Sequence, residues 1–265
     1  MKKIIFKPTN NNVGCYVQTN LKSLNKDDIR QLKKSLDSFG VLFFKEQNLT
    51  PEEYMNFSSH FGSPAEYPML KPHNKFKNIY VIERKKTDTG KSFGEGYHTD
   101  SQYLNKPPRY TFLQAIEVPK EGVGNTLFAN QFLAYKALPN DLKTKIDKIK
   151  GVFSSQGKIA STRILREREH GTSGNKEIKS IHNIVQKISG KKSIYCSPGH
   201  LIRFINCDND QGNLIDFLSS HQIKKEFTYS FSWKKGDIAV WSNKSMLHAA
   251  TAFNGNRKMF RITIQ

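Results

Sequence analysis

The sequence has no apolar run approaching the ~20 residues that cross a bilayer, no CxxC pair, no HExxH and no glycine-rich phosphate loop. GVGN at 122–125 lacks both the GxGxxG spacing and a GKS or GKT ending. Cysteine is scarce: Cys15, Cys196 and Cys207 are odd in number and widely spaced, the pattern of free thiols in a reducing compartment. The start, MKKIIFKPTN, has only the short apolar run Ile4–Phe6 before Lys7, too little for a signal-peptide core. These absences describe a soluble, cytoplasmic protein without a membrane span. Acidic residues are also few, 23 against 42 lysines and arginines, for a net charge of +19. The basic excess is spread as doublets along the chain, with no basic tail and no nucleic-acid module. It therefore reads as a solvated surface, with attraction of small anions ahead of nucleic acid.

At 265 residues the chain is long enough to form one domain with a sizeable core, and residues 1–265 are expected to do so. Helices gather early. Asn25, Asp27 and Asp28 open an apolar stripe of Ile29, Leu32 and Leu36 that Gly40 ends. Thr50-Pro51-Glu52-Glu53 opens a second helix carrying Tyr54, Phe57 and Phe61. Residues 131–149 predict two short helices broken at Pro139, and the stretch around NLIDFLSSHQ one more. Between and after these lie short strand signals: VLFF, KNIYVIE, PPRYTFLQAIEV, KSIYCS, LIRFIN, FTYSFSW, DIAVWS and RKMFRITI. Many short strands with few helices predict a mostly β fold, an antiparallel sandwich or jelly roll with helices packed outside it. Residues 155–180 break the pattern, being polar, basic and glycine-punctuated, and are expected to be a lid or an insertion.

The stretch GYHTDSQY sets His98 and Asp100 two positions apart. In an extended strand both fall on one face, about 6–7 Å apart at Cα. An imidazole and a carboxylate on one edge suit a divalent first-row ion, and one more histidine would complete a facial triad with open positions. Alone, HxD is equally a structural pair. Among the remaining histidines, His60 is expected to pack or cap, His170 and His221 to face solvent in polar segments, and His73, His182 and His200 carry no distinguishing pattern. His248 stands apart because it lies between DIAVWS and RKMFRITI, so strands meeting across a jelly-roll mouth can bring it to the early pair.

In RKMFRITI, alternation puts Arg257, Met259, Arg261 and Thr263 on one face and Phe260, Ile262 and Ile264 on the other. The second face belongs to the core. Two arginines on the first face are either a basic edge, part of internal ion pairs, or two separate anion anchors, since their Cα atoms lie about 13 Å apart along a strand.

Four blocks in order resemble the taurine dioxygenase family of iron(II)- and 2-oxoglutarate-dependent oxygenases over nearly the full length: FGVLFFKEQNLTPEEYMNFSSHFG, YHTDSQY, PPRYTFLQAIEVPKEGVGNTLFANQFLAYKALP and KKGDIAVWSNKSMLHAATAFNGNRKMFRITI. The resemblance implies a double-stranded β-helix (cupin-like jelly-roll) core. It implies His98, Asp100 and His248 as iron ligands, with 2-oxoglutarate and dioxygen as cosubstrates. The far carboxylate of 2-oxoglutarate would meet Arg257 and Thr126, and Arg261 the acidic group of the prime substrate. The implied outcome is hydroxylation of a small organic acid with release of succinate and carbon dioxide, through iron-centred chemistry with no separate acid or base residue. The carboxylate of Asp100 favours hydroxylation over halogenation, because halogenating relatives generally carry glycine or alanine there. Desaturation, cyclisation or oxidative group removal would use the same site. Nucleic-acid demethylation, or nucleic-acid binding without catalysis, remains as an alternative encouraged by the charge. The family also admits homo-oligomers. Around the substrate the sequence departs from the taurine enzyme: Tyr67 stands for an expected histidine, Leu70 for a tyrosine, Gly94 for an asparagine, Ser101 for a small apolar residue and Tyr103 for phenylalanine. The substrate is therefore expected not to be taurine.

Overall fold

The computed structural model describes residues 4–67, 69–120, 122–169, 171–207 and 211–265, with Leu165 and Glu169 described by their backbone alone. His170 thus lies outside the described residues.

A seven-stranded sheet runs in the order Ile5–Pro8, Cys15–Gln18, Val41–Phe44, Ile238–Ser242, Tyr110–Glu117, Arg257–Ile264 and Tyr80–Arg84. All its pairings are antiparallel except that of Cys15–Gln18 with Val41–Phe44. Period-two alternation sends its side chains to two cores. Leu42, Phe44, Phe112, Val240, Ile262 and Ile264 face Leu32, Leu36, Tyr54 and Phe57 of the helices Lys26–Phe39 and Pro51–Ser59. Val41, Phe43, Leu113, Ala239, Trp241 and Met259 face inward, where they meet Phe128 and Phe231 of a second sheet. That sheet orders the strands Thr228–Phe231, Thr126–Asn130 and Met246–Ala250. Two largely antiparallel sheets closing over one interior form the jelly-roll core, with helices outside it.

Both early helices start as their sequences dictate. Asn25 and Asp28, and Thr50 and Glu53, form reciprocal capping boxes, and Gly40 ends the first helix at φ 79°. Pro139 separates the helices Gln131–Lys136 and Asn140–Ile146. A third core of Ala134, Leu138, Ile146, Phe153, Ile184 and Leu218 anchors the outer elements, among them a three-stranded sheet of Leu201–Ile205, Lys150–Ser154 and Lys179–Asn183. His221 differs from its expected exposure: it is buried, and its Nε2 meets the Ala134 carbonyl at 2.8 Å, satisfying the end of a short helix.

The face of Arg257–Ile264 that carries the arginines points into the jelly roll. Arg257 and Arg261 are only 6% and 3% exposed, so they form no basic surface edge. No helix among the described residues is long and apolar enough to cross a membrane.

Candidate active site

His98 and Asp100 do not lie on a regular strand. His98 alone makes a two-way backbone bridge to His248: its N–H donates to the His248 carbonyl at 3.0 Å, and the His248 N–H returns the bond at 2.8 Å. The Glu95–Ala250 bridge extends this contact, so residues 94–98 dock beside the strand Met246–Ala250. Ser101, at φ 50°, then turns the chain away just after Asp100. The metal edge is therefore built by a docked loop, and the late histidine reaches the early pair through direct backbone pairing.

The ligand atoms of His98, Asp100 and His248 all lie within 4.8 Å of one another, and all three residues are buried. His98 Nδ1 lies 2.9 Å from the Gly96 carbonyl, which commits it as the protonated nitrogen and leaves Nε2 for a metal. Nε2 of His98 and of His248 sit 3.8 and 3.6 Å from Asp100 Oδ1. Burial pushes His248 down to about 3 and also lowers His98, so both imidazoles are neutral and ready as ligands at neutral pH. Burial alone would raise the Asp100 carboxyl; Arg261, the two imidazoles and the Thr111 hydroxyl outweigh it and hold it well below the usual carboxylate range. Two neutral imidazoles and one ionised carboxylate, converging on one point, fit a divalent iron that keeps open positions.

A hydrogen-bonded chain stands behind Asp100. Thr111 Oγ1 donates to Asp100 Oδ2 at 2.6 Å, and Asn243 Nδ2 donates to Thr111 Oγ1 at 2.9 Å. Asn243 Oδ1 in turn accepts from Trp241 Nε1 at 3.1 Å. His248 is held differently. Its ring packs 4.6 Å from Trp241, and its Nδ1 is buried without a hydrogen-bond partner among the described residues.

Two cavities meet at the triad. The first is lined by His98, Asp100, His248, Thr126, Arg257 and Arg261, with Leu113, Trp241 and Met259 as apolar wall. Arg257 has no carboxylate partner among the described residues: its Nη2 reaches Thr126 Oγ1 at 3.5 Å and its Nε is buried unpaired. Burial brings it down to about 10, so it stays charged. Thr126 Oγ1 already accepts from Trp233 Nε1 at 3.0 Å, which leaves its own proton to donate.

The second cavity shares His98, Asp100, Gly94 and Arg261 with the first and adds Tyr67, Ser101, Tyr103, Arg163 and His200. Arg261 stands at both. Its Nη2 lies 2.9 Å from Asp100 Oδ1, an ion pair not angled as a hydrogen bond, and its guanidinium sits 4.5 Å from the Tyr67 ring centre. The Ser101 hydroxyl and the Tyr103 phenol are buried with no aligned partner among the described residues. Gly94 has φ 76°, and a Cβ there would come within 3.3 Å of the His98 ring, so glycine keeps that approach open. Leu70 lines neither cavity; it packs with Tyr67, Met69, Tyr80 and Tyr103 behind the wall.

Sequence reasoning missed Thr111, Asn243, His200 and Arg163. Thr111 and Asn243 are polar residues at the ends of apolar strands, a detectable signal. Arg163 is hidden among the other arginines of STRILREREH. His200 is buried with its Nδ1 3.1 Å from the Ser154 carbonyl, and it packs 5.1 Å from the Tyr103 ring. Segment 155–180 forms the 3₁₀ turn Lys158–Thr162 and the helix Ile164–Glu169, and places Ile159, Thr162 and Arg163 on the second cavity.

Residues 9–263 match the family described as taurine catabolism dioxygenase TauD, TfdA family. Pentalenolactone F synthase from Streptomyces arenae is 24% identical over 258 residues, covering 90% of this chain and 86% of its own length. The 2,4-dichlorophenoxyacetate dioxygenase of Cupriavidus pinatubonensis is 24% identical over 263 residues, covering 91% and 90%. A taurine dioxygenase structure from Burkholderia xenovorans superposes with a TM-score of 0.81 at 25% identity, covering 98% of this chain and 90% of that one. The chain therefore belongs to the TauD, TfdA family, a non-haem iron dioxygenase that uses iron(II), 2-oxoglutarate and dioxygen.

Proposed function

We propose that this enzyme hydroxylates an aliphatic carbon of a small organic metabolite bearing an acidic or amino-acid-like group, with 2-oxoglutarate converted to succinate and carbon dioxide. The observation that carries the cosubstrate assignment is Arg257, a buried cation without a carboxylate partner among the described residues, in the same cavity as the triad. A lone buried charge is unfavourable, and a carboxylate held by the guanidinium and by the Thr126 hydroxyl relieves it. Iron(II) with chelated 2-oxoglutarate supplies the oxidising chemistry when bound. The chain's own residues position and shield. Gly96 and Thr111 orient the ligands, Trp241, Leu113 and Met259 keep the cosubstrate side dry, and Arg257 sets its direction.

On the substrate side, Arg261 offers an acid anchor once Asp100 serves as a metal ligand, with the Tyr67 ring holding the guanidinium in place. Ser101 and Tyr103 present neighbouring hydroxyls to a substrate hydroxyl, amine or carboxylate. Gly94 leaves room beside His98, while Leu70 acts from behind by supporting Tyr67 and Tyr103. Two relatives are named for organic acids, in keeping with such an anchor. Taurine is disfavoured by Tyr67 in place of the histidine expected to meet its sulfonate. Segment 155–180 is read as a cover over this side, because it supplies one wall of the cavity.

Anaerobic addition of iron(II) and 2-oxoglutarate to the metal-free protein should give the weak visible charge-transfer band of the chelate. His98→Ala should lose iron and band together, whereas Arg257→Ala should retain iron and lose 2-oxoglutarate. A wild-type protein without the band contradicts the proposal. Mass spectrometry of products from a metabolite extract then separates hydroxylation from desaturation, cyclisation or group removal.

A further inference from the structure

Resting on that reading of the site, we propose that the substrate carries two acidic groups, one held by Arg261 and the second by Arg163 from segment 155–180. Arg163 is only 3% exposed, yet it lines the second cavity together with His98, Asp100, Tyr67, Tyr103 and Arg261. Its Nε donates to Glu167 Oε1 at 2.9 Å and its Nη2 to the Ser155 carbonyl at 2.5 Å. These bonds fix the plane of the guanidinium from behind. No hydrogen bond holds Nη1 among the described residues, so one edge of the fork remains for a ligand.

The charges of the cavity point the same way. Its lining holds two guanidiniums and a single carboxylate, Asp100, and that carboxylate belongs to the metal triad. Glu167 offsets part of the Arg163 charge from outside the lining. Two phenols stand with the arginines, and the neighbouring Tyr103 and Ser101 hydroxyls add neutral donors. Such a lining recognises oxygen anions at more than one point. Both arginines line the same cavity as His98 and Asp100, so the two acidic groups are joined by a short chain across which the iron-facing carbon is presented. A guanidinium already held in plane by two bonds loses little freedom on binding a carboxylate, which favours Arg163 as a specificity element.

The test uses the iron(II)–2-oxoglutarate complex under anaerobic conditions and a series of straight-chain dicarboxylates from succinate to suberate, each matched with its monocarboxylate. Binding is read from the change in the chelate's visible band at saturating 2-oxoglutarate. At least one dicarboxylate should bind about tenfold or more tightly than its monocarboxylate, as one charge-assisted contact predicts. Arg163→Gln should reduce that advantage to under about threefold, and Arg163→Lys should restore part of it, with 2-oxoglutarate affinity unchanged in both. Thermal shifts of the zinc(II)-loaded protein at saturating 2-oxoglutarate repeat the comparison with the same acids, so a missing chelate band counts against the oxygenase reading while the melting temperatures still judge Arg163. Dicarboxylates that bind no better than monocarboxylates, or an advantage that survives in Arg163→Gln, overturn the proposal.

Discussion

Thr111 Oγ1 lies 2.6 Å from Asp100 Oδ2, and the bond has a fixed direction because Asn243 Nδ2 donates to the same hydroxyl. A hydroxyl that accepts from the amide must point its proton at the carboxylate. Oδ2 is thereby occupied, and Oδ1 is turned toward the two imidazole Nε2 atoms. Thr111→Val keeps the shape of the strand and removes the proton. Iron(II) affinity should fall by about 10- to 100-fold, the usual effect of losing a group that orients a metal ligand, with the circular dichroism spectrum unchanged. Wild-type affinity in a titration of this variant would show that Asp100 needs no such support.

Arg257 should separate stability from function. The guanidinium is buried against Trp233 and Phe253 with no carboxylate partner among the described residues, so in the metal-free protein it is a source of instability. Arg257→Met fills similar volume without charge. The melting temperature of the metal-free variant should rise by several degrees, consistent with about 1–4 kcal/mol, while equilibrium dialysis should find no binding of 2-oxoglutarate. A lowered melting temperature would mean that the guanidinium contributes packing or hydrogen bonds that outweigh its desolvation.

How far the sequence carried this site follows from which signals are local. Alternation in RKMFRITI separated Arg257, Met259 and Arg261 from Ile262 and Ile264, and the structure sends the first set to the triad cavity and the second to the core under the helices. Capping residues marked both early helices because a helix start is decided within four residues. The meeting of His98 with His248 is different: it depends on a backbone bridge across 150 positions of chain, which the family's ordered blocks implied and periodicity could not. The turn at Ser101 was hidden because the conformation of one residue leaves no periodic trace. Arg163 was hidden for a third reason. Among neighbouring arginines its type carries no information, and only the packing of segment 155–180 selects it from Arg166, which instead pairs with Asp88.

The buried histidines give the metal-free protein a predictable response to acid. An imidazole in the unfolded chain titrates near 6.5, whereas burial holds His200 and His248 at about 3 and lowers His98 as well. Between pH 6.5 and 3 the unfolded chain therefore binds more protons than the folded one, so stability is fully present above about 6.5 and declines as the pH falls. His200 and His248 each contribute a slope of up to about 1.4 kcal/mol per pH unit. Thermal melts of the metal-free protein should drop steadily from pH 7 to 5, and His200→Phe should make the slope shallower. A melting temperature constant across that range would place these imidazoles in contact with water.

Gly199 determines how closely the outer layer approaches the metal ligand. A Cβ at this position would stand 2.9 Å from the His98 Cβ and 3.1 Å from the Ile159 Cβ, between the ligand and the segment that carries Arg163. Neither neighbour can yield by a simple rotamer change, since both contacts are made at Cβ, next to the backbone. Gly199→Ala should therefore displace either the His98 loop or the Lys158–Thr162 turn, destabilising the protein by about 1–3 kcal/mol as overpacking does. The two displacements are distinguishable. Movement of His98 weakens iron(II) binding, whereas movement of the turn leaves iron and 2-oxoglutarate affinity intact and alters only the binding of acids at the second cavity. The backbone bridge to His248 secures His98 from its other side, so the turn is the part expected to move. Iron titration of Gly199→Ala should give near-wild-type affinity, and a loss greater than about tenfold would show that the His98 loop is the softer element.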